Sequence, residues 1–225
     1  MPHPLNITVS PRFDAIIAAA SPEDPFKLGV LGGTFDPVHE GHVSLAESAT
    51  YTFGLNGVIF VPAGIPVRKQ ETCHASAEDR LAMLKLATED NPYMDVSRIE
   101  VDREGPAYTI DTIRLLNRIY GDKAKLFFVC GPDTAEDMIT WKDKFELARL
   151  VTVLSAKRRE LAPDRRYAED ALIPDSGFFK MYFFDMPVAL MSSSSIRYCF
   201  KNGLSVKYMI PEAVEQYIRE HHLYE

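Results

Sequence analysis

The chain has 225 residues, 46% hydrophobic and 25% charged, the make-up of an ordinary globular protein long enough to bury a full core. Its formal net charge of −7 argues against nucleic acid as a partner, because a duplex-binding surface needs a basic excess, and leaves small anionic substrates open. No apolar run nears the 18 residues a membrane span requires, so no membrane partner is expected.

Cys73, Cys130 and Cys199 are widely separated and show neither metal-ligand spacing nor a disulfide framework. The longest apolar stretch near the N-terminus, Ile16 to Ala20, is too short and too acidic in its flanks for a secretory signal. A cytoplasmic setting is expected. Residues 1–26 read as an N-terminal extension. Pro2, Pro4, Pro11, Pro22 and Pro25 surround one short helical pattern there, with Phe13, Ile16, Ile17 and Ala20 on a face. It is expected to pack on the domain or on a partner, and residues 27–225 form the domain.

The first strand is expected at Lys27–Leu31, followed at once by Gly32-Gly33-Thr34-Phe35-Asp36-Pro37-Val38-His39-Glu40-Gly41-His42 and by helix-forming residues Val43–Thr50. Glycines at a strand-to-helix turn let the backbone approach a ligand and leave amides free to face an anion. His39 and His42, three apart, belong near the first helical turn, where the dipole favours negative charge. The combination reads as a phosphate site, and its spacing is neither that of a P-loop nor that of a dinucleotide fingerprint.

Further strands are expected at Gly57–Val61, Met94–Val101, Lys125–Cys130, Leu150–Leu154 and Met181–Phe184. Ser76 suits the N-cap of a helix Ala77–Glu89 with Leu81, Met83 and Leu84 inward. Thr109 or Asp111 begins another, with Ile113, Leu116 and Ile119 or Tyr120 on its stripe. Cys130 ends an apolar run as a core thiol. Ser192 to Ser195 offer capping hydroxyls and free amides ahead of a helix Ile196–Lys201 stopped by Gly203, with Arg197 as a planar donor suited to phosphate. Pro211 sits where a last helix could start, ahead of Val214, Tyr217 and Ile218. Strand–helix alternation implies an α/β fold, a doubly wound parallel sheet, with its ligand beyond the carboxyl ends of the strands.

The pattern Gly33-x-Phe35-x-Pro37-x-His39-x-Gly41-His42 resembles the phosphate-binding signature of the nucleotidyltransferase superfamily that shares the His-x-Gly-His motif. Met191 to Arg197 resembles the Ile-Ser-Ser-Thr-x-Ile-Arg signature of the same superfamily, with Met191 and Ser194 in the Ile and Thr places. The segment Arg103 to Thr112 resembles the Pro-Ser-Tyr-Thr-x-Asp-Thr run of bacterial nicotinate-nucleotide adenylyltransferases. Gly131-Pro132-Asp133 is similar to their Gly-x-Asp motif, and Trp141 falls where they keep an indole. Leu150 to Arg158 and the tail from Tyr208 to Tyr224 match in pattern, so the likeness runs from residue 27 to the C-terminus.

The resemblance implies a Rossmann-like nucleotidyltransferase fold and an enzyme of NAD biosynthesis. It would transfer AMP from ATP to nicotinate mononucleotide, by in-line attack without a covalent intermediate, with Mg2+ carried on ATP and pyrophosphate. Residue by residue, it implies His39, His42, Lys69 and Arg197 as the charge-stabilising catalytic set. Gly32, Gly33, Thr34, Phe35, Gly131, Asp133, Arg158, Ser193 and Ser194 would lie along ATP, and Tyr108, Thr109 and Trp141 around the acceptor. Read from the residues alone, Trp141 is equally a core-edge aromatic, and Asp133 could be a helix N-cap as well as a nucleotide contact. One departure is Arg68, which stands in the place of the family's histidine in Ile65-Pro66-Val67-Arg68-Lys69. Rival readings are an adenylyltransferase for phosphopantetheine or nicotinamide mononucleotide, and a non-catalytic nucleotide-binding regulator. Self-association into a homo-oligomer is left open.

Overall fold

The computed structural model describes residues 7–66, 73–157, 178–186 and 191–225. Six strands form one parallel sheet: β1 (Phe26–Gly33), β2 (Gly57–Pro62), β3 (Met94–Val96), β4 (Ala124–Cys130), β5 (Thr152–Ala156) and β6 (Met181–Phe184), in the order β3-β2-β1-β4-β5-β6. Every neighbouring pair is parallel, with Leu28 opposite Gly57 on one side of β1 and opposite Leu126 on the other.

The alternation of side chains sorts the core into two layers. Val58 and Phe60 of β2 join one layer, and Ile59 and Val61 join the other. The first layer is closed by α2 (Glu40–Phe53), α3 (Ala77–Thr88), α7 (Ser193–Lys201) and α8 (Glu212–Glu220). The second is closed by α4 (Thr109–Tyr120), α5 (Pro132–Asp137) and α6 (Lys144–Leu150). The chain therefore leaves β1 toward one face and β4 toward the other, which opens a crevice between their carboxyl ends.

The N-terminal segment is packed against the domain. A short helix α1 (Asp14–Ala19) buries Ile17 while Phe13, its N-cap, fills the space beside Gly57; Ile16 is half exposed. Ser10 Oγ donates to Asp95 Oδ2 at 2.5 Å, and Tyr120 Oη donates to Asp14 Oδ1 at 2.6 Å.

Several boundaries differ from the sequence expectation. The strand expected over Met94–Val101 stops at Val96, because residues 98–102 close a turn in which the Asp102 N–H donates to the Arg98 carbonyl. Leu150 closes α6, so the fifth strand starts at Thr152. The first main helix starts at Glu40, which makes His39 its N-cap. The Ser192 hydroxyl caps α7, so the other three serines of the run lie inside the helix. Pro211 is the N-cap of α8 rather than its first residue. Ser76 caps α3 as expected, accepting from the Asp79 N–H, and Leu81, Met83 and Leu84 are buried. Among the described residues no helix is long and apolar enough to cross a membrane.

Candidate active site

The turn after β1 is built around Phe35, which takes a left-handed φ of 53° and is buried at 2% exposure with its ring edge-on to His42 at 4.9 Å. A Cβ at Gly33 would stand 3.0 Å from that ring, so the small residue there admits the aromatic plug. The plug fixes where α2 starts. His39 and His42 stack face to face with centroids 3.7 Å apart. The His39 backbone N–H donates to His42 Nδ1 at 3.2 Å, so a neutral His42 carries its proton on Nε2. Burial pushes the His39 imidazole down to about 4, which leaves it uncharged near neutral pH. Its Nδ1 is buried without a hydrogen-bond partner among the described residues. The His39 side chain stands at the N-cap of α2, turned toward the backbone N–H of His42 in the first turn.

The second motif docks onto the first. Ser193 Oγ donates to the Pro37 carbonyl at 2.9 Å, and Arg197 Nη1 donates to the Asp36 carbonyl at 2.6 Å. Arg197 Nη2 reaches Ser194 Oγ at 3.3 Å. Two helix N-termini, those of α2 and α7, are thereby held side by side with the histidines and the guanidinium between distant parts of the sequence.

Next to this station lies a cleft of about 450 Å³, walled by Gly32, Gly33 and Thr34 from β1, Tyr108 and Thr109 from the start of α4, Asp133 from α5, and Trp141. Trp141 packs edge-to-face on Phe128 with centroids 5.5 Å apart, so it is both a core-edge aromatic and a cleft wall. Thr109 is the first residue of α4, which settles the start of that helix and puts its amino end at the wall of the cleft. Phe35 and Gly131 are not in the wall: Phe35 is buried behind His42, and Gly131 is the N-cap of α5. Asp133 is therefore not a helix cap, a role Gly131 fills. Lys69, its neighbour Arg68, and Arg158 lie outside the described residues. Among the described residues, no group of three or more His, Cys, Asp or Glu stands together as a metal site. The three cysteines are unpaired, and burial lifts the Cys130 thiol to about 12.

Residues that the sequence reading passed over also build the site. Arg80 is 1% exposed and donates from Nη1 to the Thr34 carbonyl at 2.9 Å and from Nη2 to the Gly64 carbonyl at 3.2 Å, tying the ends of β1 and β2 together. Its spacing from Met83 and Leu84 placed it on the inward face of α3, which was a usable signal. Glu100, 8% exposed, contributes a carboxyl to the cleft wall. Burial holds that carboxyl above its ordinary range, Thr112 Oγ1 donates to it, and Arg103 Nη1 donates to Thr112 at 3.2 Å. Glu100 lies in the segment whose alternating apolar and polar residues read as a continuous strand, Met94–Val101.

Comparison with known proteins agrees with this geometry. The family model described as cytidylyltransferase-like matches residues 30–198. A protein of Moorella thermoacetica carrying the name "Probable nicotinate-nucleotide adenylyltransferase" is 42% identical over 200 residues, covering 89% of this chain and 92% of that one. The chain belongs to the nicotinate-nucleotide adenylyltransferase family. A second member, from Thermoanaerobacter sp., carries the same name and is 40% identical over 90% of this chain and 96% of its own length. Among solved structures, the nicotinic acid mononucleotide adenylyltransferase of Plasmodium falciparum complexed with NaAD superimposes with a TM-score of 0.68 at 16% identity. That match covers 88% of this chain and 97% of that one, and it shows that the family's fold is shared.

Proposed function

We propose that this family member transfers the AMP group of ATP to nicotinate mononucleotide, giving nicotinate adenine dinucleotide and pyrophosphate in NAD biosynthesis. The observation that carries the reading is the junction of the two motifs: the His39–His42 stack and Arg197 meet beside a cleft walled by Tyr108, Thr109 and Trp141. A triphosphate lying across the two helix N-termini would place its α-phosphorus between the phosphate station and the aromatic cleft. The acceptor's 5′-phosphate oxygen then attacks in line, with no covalent intermediate, and catalysis is positioning plus charge stabilisation.

His42 donates from Nε2, His39 acts as a neutral hydrogen-bonding partner, and Arg197 with Lys69 supplies positive charge. Ser193 and Ser194 line the β- and γ-phosphates, Gly131 and Asp133 flank the adenosine, and the family resemblance gives Arg158 a phosphate-binding role. The pyridine ring stacks on Trp141, and its carboxylate meets the amides and hydroxyl at Tyr108–Thr109. Magnesium enters as part of the MgATP substrate. Unpaired cysteines suit a reducing compartment. The test is incubation of the full chain with MgATP and nicotinate mononucleotide. Equimolar pyrophosphate and dinucleotide are expected, and a protein that binds ATP yet releases no pyrophosphate would be a regulator instead.

A further inference from the structure

Asp36 sits in the turn between β1 and α2 at 3% exposure, and donors from distant segments surround its carboxylate. Oδ2 accepts from the His74 backbone N–H at 2.8 Å, and Oδ1 accepts from that of Ala75 at 3.0 Å. A third donor comes from the end of the chain: Tyr224 Oη donates to Asp36 Oδ1 at 2.7 Å. Arg197 Nη1, bonded to the Asp36 carbonyl, stays 3.9 Å from Asp36 Oδ2. A guanidinium beside a carboxylate this well buried would ordinarily close to about 2.8 Å in a bidentate pair.

We propose that Tyr224 is a positioning residue of the phosphate site, holding the Asp36 carboxylate away from Arg197 so that the guanidinium stays directed at the triphosphate. A carboxylate has about four acceptor positions, and among the described residues three neutral donors share this one. Two of the donors are backbone amides, so Tyr224 is the only side-chain hydroxyl in the set. Burial and the neighbouring Asp36 keep that hydroxyl protonated, hence a donor, across the ordinary pH range. Its place is set by the end of α8. Val214 and Ile218 are fully buried, the Leu223 N–H returns to the Ile218 carbonyl at 3.0 Å, and the Tyr224 ring tilts against Phe200 with centroids 6.2 Å apart. The C-terminal tail thus reaches the Asp36 carboxylate through the Tyr224 hydroxyl, and the first turn of α2 through the Glu40 N–H, which donates to the Met209 carbonyl at 3.0 Å.

The identity of the triphosphate rests on the adenylyl-transfer reading, so the experiment reads ATP binding without any acceptor. Calorimetry on the full chain with its native C-terminus compares wild type, Tyr224→Phe, Arg197→Ala and the double variant. Tyr224→Phe is expected to weaken ATP about tenfold and to add less than about twofold in the Arg197→Ala background, because it acts through that guanidinium. Tyr217→Phe removes another tyrosine–aspartate bond of the same tail, 2.9 Å to Asp79, and is expected to leave ATP affinity unchanged. In turnover, the Michaelis constant for ATP should rise while that for the acceptor stays within about twofold. Wild-type affinity in Tyr224→Phe, an undiminished effect in Arg197→Ala, or an equal loss in Tyr217→Phe would overturn the proposal. A wild type that binds ATP but transfers nothing refutes the reaction alone and leaves the binding cycle to judge Tyr224.

Discussion

At the scale of single residues, the histidine pair separates into two roles. His42 offers Nε2 as a donor because its other nitrogen is engaged by the backbone. His42→Ala should lower turnover roughly 10²-fold or more with the fold intact, the usual cost of losing one preorganised donor. Turnover and a thermal melt on the same preparation check it, and near-normal turnover would remove His42 from the site. His39 is instead held neutral by burial, with its folded value near 4 against about 6.5 unfolded. Between those values the unfolded chain binds more protons, so stability is lost as pH falls from 6.5 toward 4. That contribution is on the order of 3 kcal/mol. Carboxylates titrate in the same window, so the measurement is the difference in urea unfolding between wild type and His39→Asn. The variant should show the shallower loss, and equal slopes would mean that His39 is solvated. Both histidines were legible as a motif. Their division of labour was not, because it depends on which ring the fold buries.

At the scale of elements, the six strands were readable because each is a short apolar run bounded by turn residues. Errors came where a strand-like alternation of apolar and polar residues continued past the hydrogen-bonded ladder, as at residues 97–101, or where a helix ended in an apolar residue that could open a strand, as at Leu150. The pieces α5 and α6, 6 and 7 residues long, are too short to show a helical period clearly. Arg80 joins elements that sequence distance separates. Arg80→Met would keep the volume but leave the Thr34 and Gly64 carbonyls without donors, at a cost of about 2–4 kcal/mol. It should also displace the turn that carries Phe35 and so lower catalytic efficiency with ATP. A variant that keeps both its urea midpoint and its efficiency would reduce Arg80 to a space-filling role.

At the scale of the whole molecule, the site exists only because the doubly wound sheet brings residues 32–42, 108–109, 133, 141 and 193–197 to one end of the strands. Those runs could be found one at a time in the sequence. Their meeting point could be expected from the fold class, whereas the buried contacts that lock it, at Asp36, Arg80 and Tyr224, are long-range and leave no local pattern. Acceptor choice also belongs to this scale, since the cleft combines α4, α5 and the Trp141 segment. A carboxylate on the pyridine would accept from the amides at the start of α4, whereas a neutral amide would turn its NH₂ toward those donors. Each such mismatch costs about 1–3 kcal/mol, enough with two contacts for roughly 10²-fold discrimination. The measurement is kcat/KM with MgATP for nicotinate mononucleotide against nicotinamide mononucleotide. The account predicts that nicotinate mononucleotide is preferred by about 10²-fold or more, and transfer to neither acceptor, or equal use of the two, would contradict it.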